Sequence, residues 1–352
     1  MERVLMKGNE ALAEAAIRAG CKCFFAYPIT PQTEVAAYLA KNMKKRDITF
    51  LQAESEIAAV NMVLGASSAG VRTMTSSSSP GISLKSEGVS YLAGSDLPAV
   101  IVNVQRGGPG LGSIQPSQSD YWQATKALGH GDFQLIVFAP ASVQETVDMT
   151  IRAFEEADRY RMPVMILTDG FLGQMMEPVS FSDEAPVIEE KDWACSGHKG
   201  ERKHNIINSL FLQPDDLEHS VNERYKRYDI IKEKIHDAEI YKCEDADIVL
   251  AAYGTTARVA KSAVNQAREK GIKAGLFRPK TLWPFPVEEF RSACANAKTV
   301  LSVEMSQGQM VEDLRLALDC RLPVEFYGRH GGNIPSPAEV LEQIEKISER
   351  SL

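Results

Sequence analysis

Short apolar runs recur along this chain at a spacing that leaves room for one helix between neighbours, and that alternation admits few folds. The runs fall at 23–27, 71–75, 99–104, 134–138 and 163–168, each of strand length. Helical patterns lie among them at 10–19, 54–67 and 142–159, the last opened by Ser142 with Glu145 three residues on, the form of a capping box. Strand and helix in alternation give a parallel sheet wound on both faces. In such open sheets ligands bind at the carboxyl ends of the strands.

From 181 to 245 the alternation lapses into charge-rich sequence carrying Pro186 and Pro214, and the run 218–234 reads as a solvated helix or linker. A second set follows: strands at 247–252, 273–277, 299–303 and 323–327, with helices at 255–270, near 287–296 and at 310–318. The expected architecture is α/β, with doubly wound parallel-sheet domains over 1–180 and 246–352 and a charged linker region, 181–245, between them. A chain of 352 residues with 44% hydrophobic content can fill both cores.

A net charge of −8, with no isolated cluster of Lys and Arg, argues against nucleic acid as a partner. Residues 1–7 lack the apolar stretch of a secretory leader, and nothing elsewhere reaches the roughly 20 apolar residues of a membrane span, so a cytoplasmic protein without a membrane partner is expected. The six cysteines are scattered, and the nearest pair, Cys21 and Cys23, is spaced too closely for a zinc or iron–sulfur motif. They read as packed small hydrophobes, and no metal ligand is assigned on this chain.

Three stretches carry chemistry. In Tyr27-Pro28-Ile29-Thr30-Pro31 the prolines restrict the backbone around Thr30 just past a strand, which suits a hydroxyl held for a substrate; the same spacing suits a helix N-capped by Thr30. In Gln52-Ala53-Glu54-Ser55-Glu56 the two carboxylates, if both helical, are rotated by about 200° and cannot serve one site from one face, and either could simply favour a helix dipole. Arg106 follows a strand and precedes Gly107-Gly108-Pro109-Gly110. That spacing is neither a dinucleotide fingerprint nor a phosphate loop, but a guanidinium beside pliable backbone suits a carboxylate; a plain surface arginine also fits. The run Ser76-Ser77-Ser78-Ser79 before Pro80-Gly81 reads as a polar loop at a strand end.

In order and spacing, these stretches resemble the 2-oxoacid:ferredoxin oxidoreductases over nearly the whole chain. The series is Gly8-Asn9-Glu10-Ala11, Tyr27 to Pro31, Gln52 to Ala59, Thr73-Met74-Thr75-Ser76, Pro80-Gly81, Arg106-Gly107-Gly108-Pro109 and Gly129-His130-Gly131-Asp132. The second half, from Tyr253-Gly254-Thr255-Thr256 through Arg278 to Pro286, is similar to the family's transketolase carboxyl-terminal-like domain. The resemblance implies a thiamine diphosphate pyrimidine-binding fold over 1–180, with the cofactor shared between chains. It places Glu56 on the ring nitrogen N1′, Pro28 and Ile29 against the cofactor, and Thr30 and Arg106 on the substrate. A beta subunit would hold the diphosphate and Mg2+, and gamma and ferredoxin-like subunits would bring 4Fe-4S clusters and pass electrons to ferredoxin, with CoA as acyl acceptor. A Gly-Asp-Gly…Asn diphosphate motif, a ferredoxin-type cysteine series and a gamma-type domain after residue 352 are all missing, so the chain is expected to act only as one subunit of a hetero-oligomer.

The wording of Gln52 to Glu56, Thr75 to Lys85 and Gln118-Ser119-Asp120-Tyr121 is similar to the branch of the family acting on 2-oxoisovalerate (3-methyl-2-oxobutanoate). Oxidative decarboxylation of branched-chain 2-oxoacids is therefore expected. The 2-oxoglutarate branch is the alternative, a noncatalytic assembly subunit a further one, and a nucleotide-dependent dehydrogenase is disfavoured by the missing fingerprint.

Overall fold

The computed structural model describes residues 3–350; Met1 and Glu2, with which the leader reading begins, lie outside the described residues. The chain runs β1 (Val4–Lys7), α1 (Gly8–Arg18), β2 (Cys23–Ala26), α2 (Thr33–Arg46), β3 (Thr49–Gln52), α3 (Glu56–Ser68), β4 (Thr73–Ser77), α4 (Pro80–Gly94) and β5 (Ala99–Gln105). After a π-helical turn at Gln123–Ala127 come β6 (Ile136–Phe138), α5 (Val143–Tyr160), β7 (Pro163–Asp169), α6 (Gly170–Gln174), β8 (Met176–Val179), α7 (Pro214–Lys234) and β9 (Ala238–Tyr241). The rest is β10 (Ile248–Ala251), α8 (Gly254–Glu269), β11 (Ala274–Pro279), β12 (Thr281–Trp283), α9 (Val287–Ala293), β13 (Thr299–Glu304), α10 (Met310–Ala317), β14 (Val324–Gly328) and α11 (Pro337–Arg350).

Two parallel-rich sheets result, of seven strands in the order β12-β6-β7-β5-β4-β2-β3 and of five in the order β14-β13-β10-β11-β9. The first is wound on both faces, as the alternation of β5 shows. Val100, Val102 and Val104 pack with Leu12 of α1, Val35 of α2 and Phe154 of α5, whereas Ile101 packs with Val60 of α3 and Val89 of α4. Ser142 caps α5 by accepting from the Glu145 amide at 3.1 Å, as its sequence implies.

Two departures come from strands too short or too polar to announce themselves. β9 falls inside the stretch read as linker but pairs antiparallel with β11. β12 lies within the second set yet crosses to the first sheet and pairs antiparallel with β6, Thr281 opposite Phe138, covering an edge that would otherwise be open. Nor is α7 simply solvated: Tyr228 and Ile231 enter the first sheet's core, and Tyr228 meets Trp283 edge-on at 5.5 Å. Among the described residues no helix is long and apolar enough to cross a membrane.

Candidate functional site

The carboxyl ends of β2, β3, β4 and β5 lie side by side, and every residue singled out above follows one of them. After β3, helix α3 begins at Glu56 rather than at 54, because Ser55 is its N-cap and accepts from the Ala58 amide at 3.1 Å. Glu54 thus stands outside the helix and is exposed, while Glu56 in the first turn is only 5% exposed. The carboxylate of Glu56 has no hydrogen-bond or ion-pair partner among the described residues. Gly81, at the head of α4, makes room for it: a Cβ there would lie 2.6 Å from Glu56 Oε1 and 2.0 Å from Ser77 Oγ. Ser77 Oγ is itself buried without a partner among the described residues, as is Ser78 Oγ.

The stretch after β2 is held from behind. Asn9 of α1 donates to the Pro31 carbonyl at 2.8 Å and to Glu34 at 3.0 Å, and buried Gln32 donates to the Tyr27 carbonyl while accepting from Ser76 Oγ at 2.5 Å. Pro31 precedes α2, whose N-cap is Gln32, so the alternative in which Thr30 caps the helix does not hold. Pro28 and Thr30 are exposed and Ile29 half-buried.

Arg106 is not a surface arginine. It is 6% exposed, and its two terminal nitrogens donate to the carbonyls of Thr30 and Leu111, each at 3.0 Å. Thr30 and Arg106 are therefore brought together, but through the threonine carbonyl and not its hydroxyl. Arg106 Nε remains buried and without a partner among the described residues. The glycines let the loop fold back over the guanidinium: Gly110 and Gly112 have φ of +69° and +60°, and a Cβ on Gly112 would strike the Gly107 carbonyl oxygen at 1.9 Å.

Residues the sequence reading passed over fix this arrangement. Ser79 sits at φ +26°, a strained value for serine, and its hydroxyl donates to Asp120 at 2.6 Å and accepts from the Arg106 amide at 3.0 Å. Asn103 of β5 binds both the Ser79 amide and Asp120. Burial pushes the Asp120 carboxyl up, opposed by the hydrogen bonds from Ser79 and Asn103. The neighbouring residues of that stretch bridge to the second sheet: Gln118 donates to the Tyr253 carbonyl and accepts from the Met305 amide, and Tyr121 donates to Asp313 at 2.6 Å. Their one signal in sequence was the Gln118 to Tyr121 wording. Lys85 of α4, also unassigned, is fully buried and donates to Thr75 Oγ1 and to the Ser76 carbonyl.

Two open positions thus lie together among the described residues, a carboxylate that no donor meets and a buried guanidinium N–H without an acceptor. The second is costly until a ligand supplies its partner. A heteroaromatic ring nitrogen that shares a proton meets the first, and a 2-oxoacid carboxylate meets the second, so the residues present fit the pyrimidine side of thiamine diphosphate with its substrate. Among the described residues no three His, Cys, Asp or Glu side chains are grouped as metal ligands would be.

Comparison with known proteins identifies the family. Residues 14–239 match the pyruvate flavodoxin/ferredoxin oxidoreductase thiamine diphosphate-binding domain, and residues 246–340 match core domain II of pyruvate:ferredoxin oxidoreductase. The chain is 49% identical to the ketoisovalerate oxidoreductase subunit VorB of Methanothermobacter marburgensis, covering 100% of this chain and 99% of that one. It is 35% identical to the 2-oxoglutarate synthase subunit KorA of Methanothermobacter thermautotrophicus, covering 99% of each. Among solved structures, the 2-oxoglutarate:ferredoxin oxidoreductase from Magnetococcus marinus, with 2-oxoglutarate, coenzyme A and succinyl-CoA bound, superimposes with a TM-score of 0.87 at 29% identity, covering 98% of this chain. This chain spans 65% of the length of that one. A split-gene transketolase at 15% identity and a TM-score of 0.60 shares the fold alone. The chain belongs to the thiamine-dependent 2-oxoacid:ferredoxin oxidoreductases.

Proposed function

We propose that this chain is the pyrimidine-side subunit of an oxidoreductase that decarboxylates branched-chain 2-oxoacids, 2-oxoisovalerate foremost, and passes the acyl group to CoA and the electrons to ferredoxin. The observation that carries the site is the buried, unpaired Glu56 carboxylate against Gly81. Thiamine diphosphate supplies the electron sink for the bond to the departing CO2. Glu56 holds a proton for the ring nitrogen N1′, with Pro28 and Ile29 lining the approach. Arg106 neutralises the substrate carboxylate through its unused Nε edge, and the exposed Thr30 hydroxyl hydrogen-bonds a substrate oxygen. The branched-chain assignment is supported by the higher identity to the ketoisovalerate relative, 49% against 35% for the 2-oxoglutarate relative.

The diphosphate, Mg2+ and 4Fe-4S clusters are assigned to a beta subunit and to gamma and ferredoxin-like subunits, and the complex to the cytoplasm. Exposed apolar side chains border the site: Tyr27 after β2, Leu51 on β3, Ile57 on α3, Leu84 on α4 and Leu111 in the loop after β5. A partner that completes the cofactor site must approach this same edge, and these residues suit its contact. Copurification of the complex, followed by a screen of 2-oxoacids with CoA and a viologen dye, tests the proposal. Turnover of 2-oxoglutarate in preference to 2-oxoisovalerate would place the chain on the other branch.

A further inference from the structure

One charged group beside the site has no part in the account above. Lys85 lies in the second turn of α4, on the same face as Gly81 and Gly88, at positions i, i+4 and i+7. That face meets α3: a Cβ on Gly81 would touch Glu56, and one on Gly88 would lie 2.3 Å from Val60 Cγ1. Lys85 sits between these two points of close approach and is 0% exposed. Its Nζ donates to Thr75 Oγ1 at 2.8 Å and to the Ser76 carbonyl at 2.9 Å, which leaves the third ammonium hydrogen without an acceptor among the described residues.

The charge of this lysine is not explained by packing. Burial pushes its ammonium down to about 7, and the one charged group that pulls it back up is Glu56. An unbranched apolar side chain would fill the same space without the cost of desolvating an ammonium. A cation here acts on one carboxylate, and that carboxylate is the one the site uses.

We propose that Lys85 is a positioning residue for Glu56, a buried counter-cation that stabilises the carboxylate left when Glu56 gives a proton to the cofactor ring. The inference rests on the assignment of Glu56 to N1′. It makes Glu56 and Lys85 a coupled pair across the α3–α4 contact, with the lysine touching neither substrate nor cofactor.

The test uses the assembled complex with Lys85→Met, Lys85→Gln, Glu56→Gln and the Lys85→Met/Glu56→Gln double variant. Calorimetry of thiamine diphosphate binding to cofactor-free complex, in buffers of different ionisation enthalpy, counts the protons exchanged as a function of pH; the pH profile of kcat/KM is recorded alongside. Both Lys85 variants should shift the pH dependence of proton exchange by about one unit, because the site has lost a buried cation. In the Glu56→Gln background, Lys85→Met should add no further shift. Lys85→Gln retains a hydrogen-bonding group and carries the test if the methionine variant does not assemble. Native-like Lys85 variants without a shift, in a complex where Glu56→Gln does alter proton exchange, would overturn the role of Lys85 alone. The same shift with and without Glu56 would do so too. Unaltered proton exchange in Glu56→Gln itself would overturn both assignments.

Discussion

At the scale of single residues, the site turns on which of two carboxylates is buried. Their separation by two positions already implied that one alone points inward, and the physical reason is the Ser55 cap, which leaves Glu54 outside the helix. Glu56→Gln is expected to leave assembly intact and to lower turnover on the order of 100- to 10,000-fold, the usual range for a lost acid–base group. Steady-state kinetics on Glu56→Gln and Glu54→Gln separate the two, and loss in the second with retention in the first would reverse the assignment. Gly81→Ala should likewise impair turnover, since its Cβ enters the space of Ser77 Oγ and Glu56 Oε1, at a stability cost of about 1–3 kcal/mol read by thermal melting. For Arg106→Ala, the expected result is a KM raised about 10- to 150-fold for every 2-oxoacid alike, as a charged hydrogen bond is worth about 1.5–3 kcal/mol. Thr30, Glu56 and Arg106, the proposed site residues, could be picked out in sequence because each follows a strand end in a recognisable order. Ser79, Asp120 and Lys85 were not, because a strained φ, a buried carboxyl and a buried ammonium leave no periodic trace in sequence.

At the scale of elements, the long apolar strands and the capped helices could be read with small shifts at their ends, since hydrophobic period and cap chemistry are local. β9 and β12 could not, because what makes each a strand is a partner distant in sequence. Arg278 of β11 ties β9 to α5, its guanidinium pairing with Glu145 of α5 at 2.7 Å and with Glu239 of β9 at 2.8 Å. Burial works to raise both carboxyls, but hydrogen bonds from Arg278 to Glu145, and from Lys261 and Arg278 to Glu239, prevail and hold both below the ordinary carboxylate value. With folded values depressed, this contribution to stability is complete above the ordinary value of 4.5 and is lost as pH falls through the folded values. Arg278→Met should therefore destabilise the chain by about 2 kcal/mol at neutral pH and flatten its loss of stability in acid, as urea midpoints measured in both conditions would register. An unchanged acid response would show that other carboxylates govern it.

At the scale of the whole molecule, the chain presents half of a site. On the proposed assignment its own residues would meet the ring and the substrate, and the diphosphate and metal anchors would lie on another subunit, so the isolated chain should bind thiamine diphosphate weakly or not at all. Tight Mg2+-dependent binding to this chain alone, measured by calorimetry, would contradict that division. A charge placed on the apolar edge, as in Leu84→Asp, should weaken copurification of the partner while leaving the melting of the isolated chain nearly unchanged. The substrate branch tests the account most directly. A branched aliphatic 2-oxoacid needs a cation at its carboxylate and an apolar wall beyond, whereas the distal carboxylate of 2-oxoglutarate would be desolvated without a partner, because Lys85 of α4 is fully buried. The deciding measurement is the ratio of kcat/KM for 2-oxoisovalerate to that for 2-oxoglutarate in the purified complex. A ratio well above one is expected, and a ratio below one would contradict the branched-chain assignment.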